Sequence, residues 1–120
     1  MHEFFISGPL PGLNDHEKAA RGSKYAASTL KSRWTCEAEY CATKAKLAGL
    51  MLENVFIRFL WVENGKRRDP DNIVFAKKYI LDGLVRARVI PGDGWKHISG
   101  FTDTWEVGQK PGVHVQILPV

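Results

Sequence analysis

Only two cysteines, Cys36 and Cys41, occur in the 120 residues, and they form no CxxC pair. Five apart in a stretch that reads as helix, they point about 140° away from each other, a poor arrangement for a shared bond or metal. No histidine pair stands near them, so a zinc site is not expected and both read as small buried residues. The four histidines, His2, His16, His97 and His114, likewise show no ligand spacing, and His97 reads as structural. Long apolar runs are missing too: charges interrupt each one within a few residues, which argues against a membrane span. Met1-His2-Glu3-Phe4-Phe5 lacks the basic region and apolar run of a secretory signal, so a cytoplasmic setting is the default expectation. Internal repeats and low-complexity tracts are absent.

What is present is the composition of an ordinary globular domain, 44% hydrophobic and 25% charged. At this length residues 1–120 are expected to form a single domain. The net charge of +4 comes from 17 Lys and Arg against 13 Asp and Glu. That excess is compatible with nucleic acid without requiring it. Several of the acids fall in one short segment, which leaves the remaining surface more basic than the total implies.

Residues 2–7 read as a strand ended by Gly8-Pro9 and Pro11-Gly12. Residues 14–27 are polar and basic, and read as a loop with at most one helical turn. From Ser28 to Ala48 the residues Leu30, Trp34, Ala38, Cys41, Ala45 and Ala48 recur at helical spacing, with Gly49 as a stop. Residues 52–62 carry apolar side chains on both faces, as a central strand would. A second helix over residues 72–88 is predicted, with Ile73, Ala76, Ile80, Leu84 and Ala87 as its core stripe. Two strands follow, near 95–107 and 113–118. The order β-α-β-α-β-β predicts an α/β (α+β) fold, a mixed sheet with two main helices packed on it.

The informative stretch is Lys66-Arg67-Arg68-Asp69-Pro70-Asp71-Asn72, between the central strand and the second helix. Carboxylates at i and i+2 in extended chain face opposite ways, but at a strand end turning through proline both can converge on one cation. Oxygen-only ligands select a hard ion such as Mg²⁺, with Mn²⁺ as a substitute. Arg67 and Arg68 would suit a phosphate that the ion also contacts. Projected along one continuous helix, Asp71, Lys78 and Asp82 fall within about 40° of one another, while Lys77 lies about 100° from Lys78, toward the core. Asp93, between two glycines, can bring a third carboxylate to the same place. Singly, most of these have ordinary explanations. Asp71 suits an N-cap, Lys78 and Asp82 a surface ion pair, and Asp93 a turn. The Asp69–Asp71 pair is the exception, and the combination favours a metal site.

These residues resemble a known family, the RusA-type Holliday junction resolvases. Arg67-Arg68-Asp69-Pro70-Asp71-Asn72 is similar to the family's RRDxDN. Lys78, four residues before Asp82-Gly83-Leu84, is similar to its lysine before DxL, and Asp93 to the acid eleven residues beyond that Asp. Asn14, after Pro9-Leu10-Pro11-Gly12-Leu13, looks like the asparagine of the family's proline-rich N-terminal turn. The resemblance implies that Asp69, Asp71 and Asp93 bind Mg²⁺ and that Lys78 is the essential lysine. It also implies a homodimer that nicks opposing strands of four-way DNA junctions. Two departures stand out. The interval from Asp71 to Lys78 is three residues longer, which leaves Lys77 and Lys78 both open for the lysine's role, and Gly92 replaces the first of two adjacent acids.

On this reading Lys78 would stabilise charge at the scissile phosphate. Lys66, Arg67, Arg68 and Lys77 would hold the DNA backbone, with Lys18, Arg21 and Lys24 from the preceding loop. A solvated basic surface accounts for that loop equally well. Trp95, Phe101 and Trp105 read as exposed aromatics of the penultimate strand, suited to a dimer contact or to core packing. No organic cofactor and no membrane partner are expected. The rivals are a nuclease for other branched DNA, a non-catalytic branched-DNA-binding protein, and a phosphatase or RNase with the same chemistry.

Overall fold

Period-two alternation of apolar residues builds a sheet, and a 3.6-residue stripe builds the helical layer that covers one side of it. The computed structural model describes residues 2–120. Its elements are β1 (His2–Ser7), α1 (Leu13–Gly22), α2 (Lys24–Lys44), β2 (Val55–Glu63), α3 (Pro70–Val74), α4 (Lys77–Arg86), β3 (Ile98–Val107) and β4 (Gly112–Pro119). The fold is α+β, with one four-stranded mixed sheet in the order β1-β4-β2-β3. Only the β2–β3 pair is parallel. No helix among the described residues is long and apolar enough to cross a membrane.

Phe4 and Ile6 of β1, Val55, Ile57, Phe59 and Trp61 of β2, and Val113, Val115 and Ile117 of β4 share the covered face and are buried. The opposite face keeps Glu3, Arg58 and His114 exposed and Phe5, Leu60 and Gln116 half-buried. So β2 is central, as expected, but only one of its faces is fully enclosed. The predicted core stripe of the second helix is buried throughout: Ile73, Ala76, Ile80, Leu84 and Ala87. The helix itself is interrupted between α3 and α4 at Phe75-Ala76, which breaks the continuous register assumed for Asp71.

Residues 14–27 are not a loop. They contain α1 and the start of α2, so the order is β-α-α-β-α-α-β-β. α1 leaves only a faint pattern, since none of its residues is fully buried and only Leu13, His16 and Ala19 are half-buried. Polar contacts add to the packing of His16 on Phe75, the Gly12 amide donating to the Asp15 carboxylate at 2.9 Å and the Asn14 amide to the Asn72 side-chain oxygen at 2.9 Å. α2 begins at a Ser23 cap whose hydroxyl accepts from the Ala26 amide, and ends at Lys44 rather than near Gly49. Beyond it Lys46, Gly49 and Met51 take positive φ as the chain unwinds toward β2. Phe101 and Trp105 do share one face of β3 and are exposed, whereas Trp95 precedes the strand.

α2 and α4 cross closely at Gly83. A Cβ there would lie 2.6 Å from Ala38 Cβ, 2.9 Å from the Glu39 amide nitrogen and 2.9 Å from the Thr35 carbonyl oxygen. Two of the three obstacles are backbone, which cannot move aside cheaply. Cys36 is exposed, against expectation, because it lies about 120° around α2 from the mean direction of buried Thr35, Ala38 and Ala42. Cys41 is half-buried beside Glu37, and burial first, then that carboxylate, push its thiol up to about 11.

Two outcomes follow. Gly83→Ala should destabilise the fold by about 2 kcal/mol in urea denaturation, despite alanine's higher helix propensity. A thiol-reactive disulfide reagent near neutral pH should label Cys36 and spare Cys41, whose labelling rises only as pH approaches about 11.

Candidate functional site

The site is assembled around the end of β2, where the chain turns through Lys66-Arg67-Arg68 into α3. Arg68 turns inward. Its Nε and Nη2 each donate to a Glu63 carboxylate oxygen at 2.8 Å, and its Nη1 donates to the Leu10 carbonyl at 2.9 Å. Asp15 lies 3.7 Å away. The Glu63 hydrogen bond raises the guanidinium above its ordinary pKa, against the opposing effect of burial. This planar fork joins β2, the N-terminal turn and the start of α3. Lys66 and Arg67 stay exposed and, among the described residues, form no ion pair. The same holds for Lys18 and Arg21 on α1 and for Lys24 at the start of α2.

Asn72 makes the second tie. Its side-chain oxygen takes the Asn14 amide, and it sits so close to Gly12 that a Cβ there would fall 2.5 Å from that oxygen. The proline-rich turn is thereby fastened to the Asp69–Asn72 segment. Asp69 occupies the N-cap position of α3 in extended conformation, with no capping hydrogen bond from its side chain. It lines a depression of about 540 Å³ with Lys66, Arg68, Trp105 and Glu106. Asp71 is exposed and accepts the Asn72 amide at 2.9 Å.

The two adjacent lysines part company. Lys77 donates to Asp103 at 2.7 Å, with its ammonium 4.5 Å from the Phe101 ring centroid and 5.1 Å from that of Phe59. The other oxygen of Asp103 accepts from the Trp61 indole at 2.9 Å. Lys78 instead faces outward, 3.1 Å from Asp82 and 3.6 Å from Asp93. Its side chain is 55% exposed against 18% for Lys77. The Asp82 hydrogen bond is the main cause of its raised pKa, with Asp93 adding to it. Asp82 also pairs with Lys31 of α2 at 3.6 Å. His97 is occupied structurally, its Nδ1 lying 2.7 Å from the Glu53 carbonyl.

The structure therefore brings Lys78, Asp82 and Asp93 together, and leaves Asp69 in a different depression. Among the described residues no three His, Cys, Asp or Glu side chains gather as a metal-holding group. Asp69, Asp71 and Asp93 are thus not gathered as one group in the free chain. Lys31, Glu63 and Asp103 were not anticipated from the sequence. Each acts across a tertiary contact between separate elements, and only the placing of Glu63 five residues before Arg68 offered a local hint.

Arg68→Lys keeps the charge but loses the fork, and should cost about 1.5–3 kcal/mol in urea denaturation. Glu63→Gln should cost a similar amount, and the double variant clearly less than the sum, as for two halves of one contact. Compared with protein-family models and with curated proteins, the sequence matches none.

Proposed function

We propose that the protein is a metal-dependent, structure-selective endonuclease that cuts branched DNA, with four-way junctions as its substrate. The observation that carries this reading is the meeting of Lys78 and Asp93 at 3.6 Å. They come from separate elements, and both match the positions that the resemblance to the RusA-type resolvases marks as functional. The tether from Asn72 to Asn14 adds to it, because it joins the two motif-bearing segments in space.

Within this reading Lys78 is the lysine of the site. Lys77 is held between a carboxylate and two rings, whereas Lys78 is half-exposed and can meet a phosphate. Asp82 and Asp93 orient its ammonium until DNA arrives. Lys66 and Arg67 face solvent and would hold the sugar-phosphate backbone. Mg²⁺ belongs to the proposal through Asp69, Asp71 and Asp93. Because the free chain does not present them as one group, ion uptake would depend on DNA, in keeping with the habit of Mg²⁺ to bind through one or two carboxylates plus substrate phosphates. A homodimer would offer two such sites to opposing strands of a two-fold junction, and a cytoplasmic setting suits that substrate.

A non-catalytic branched-DNA-binding protein is the second reading, favoured by the ion-paired state of Asp93 and the cap position of Asp69. Asp71→Asn divides the two. With Mg²⁺ present, wild type should nick a four-way junction in preference to linear duplex. The variant should lose cleavage by more than the ~10–100-fold expected of a mere outer-shell residue, while gel-shift affinity for the junction is kept. Wild type that binds the junction but cuts no branched DNA with Mg²⁺ or Mn²⁺ would establish the binding protein instead.

A further inference from the structure

We propose that the groove between α2 and α4 seats the phosphodiester backbone of a DNA strand leading to Lys78, an inference that rests on the DNA-processing reading above. The groove holds about 520 Å³. Ser28, Lys31 and Ser32 of α2 form one wall, and Lys78 and Arg86 of α4 stand on the other. With Lys24 and Thr35, the α2 residues fall at i, i+4, i+7, i+8 and i+11, a single stripe along the helix. Cations alternate with hydroxyls along it, and both kinds of group donate to phosphate oxygens.

Two independent features point to an anionic ligand. Between Lys18 and Cys36 the chain carries Lys18, Arg21, Lys24, Lys31 and Arg33 and no Asp or Glu, so this length of α1 and α2 bears cations only, the acids Asp15, Glu17, Glu37 and Glu39 lying outside it. Thr35 borders the groove, and its enclosed hydroxyl has no hydrogen-bond partner. Buried polar atoms are rarely left so. Rotated toward the groove, that hydroxyl would donate to an oxygen-rich ligand or to its bound water.

Two carboxylates also border the groove, Asp82 and Asp93, and both are answered by lysines: Asp82 by Lys31 at 3.6 Å and Lys78 at 3.1 Å, Asp93 by Lys78 at 3.6 Å. Arg86 meets Glu39 at 3.3 Å. The cations in these pairs are half-exposed, and such contacts exchange for a phosphate at little cost. The groove therefore stores its cations on weak internal partners.

The test is binding of a fluorescent four-way junction in EDTA over a salt series, which keeps it independent of cleavage and metal. Lys31→Gln combined with Arg86→Gln should weaken binding and lower the slope of log K against log salt by about two, one for each phosphate contact. Lys31→Arg should restore its share of the slope. Ser28→Ala with Ser32→Ala should weaken binding several-fold without changing the slope, since a hydroxyl releases no counterion. Thermal melts establish that each variant is folded. A folded double variant with wild-type affinity and slope overturns the groove while leaving the endonuclease reading intact. Wild type that binds no DNA, branched, single-stranded or duplex, overturns both.

Discussion

Arg68 is withdrawn from solvent where three segments meet, and a cation in such a place has to be answered by oxygen on every side. Glu63 supplies a carboxylate from the end of β2, and Leu10 a carbonyl from the N-terminal turn. The geometry of a planar fork leaves little freedom in how those segments approach one another. Asp69, the next residue, inherits its position from that joint, and Asn72 repeats the fastening one turn later. The acidic segment is thus held by its neighbours and has few contacts of its own. That leaves Asp69 and Asp71 exposed and without cationic partners among the described residues, unlike Arg68 beside them.

Adjacent residues on a helix diverge by about 100°, and the Lys77-Lys78 pair uses this divergence to enclose one ammonium and expose the other. One ammonium closes the gap between α4 and β3 under two aromatic rings. The other is presented to solvent between Asp82 and Asp93. Because Asp82 also reaches Lys31, the presented lysine is coupled to α2. The crossing of α2 and α4 at Gly83 brings those helices near enough for that coupling.

Much of the scaffold was legible because burial leaves a periodic trace. β1 falls on the residues expected of it, and all five core positions assigned to the second helix are enclosed, even though that helix is broken after Val74. α1 left little trace, because its covered face holds only the half-buried Leu13, His16 and Ala19 and much of its anchoring is by hydrogen bonds. Cys36 was misjudged because a small residue carries no directional information of its own. For the site, the divergence of Lys77 and Lys78 was readable from helix geometry. The placing of Asp69 and Asp93 in different depressions was not, since each sits on a turn whose course is decided by contacts distant in sequence, such as those of Arg68 with Leu10 and of His97 with Glu53.

β4 comes last among the strands in chain order, yet it lies inside the sheet, with β1 on one side and β2 on the other. During synthesis β1 leaves the ribosome with no neighbour to pair with, and must wait until the segment around Val113 and Ile117 has been made. Contacts of such long sequence separation form late, because the intervening loop has to be closed before any reward arrives. Completion of this sheet therefore follows the synthesis of β4. A nascent chain halted before β4 would show Phe4 and Ile6 to chaperones as an unsatisfied hydrophobic segment.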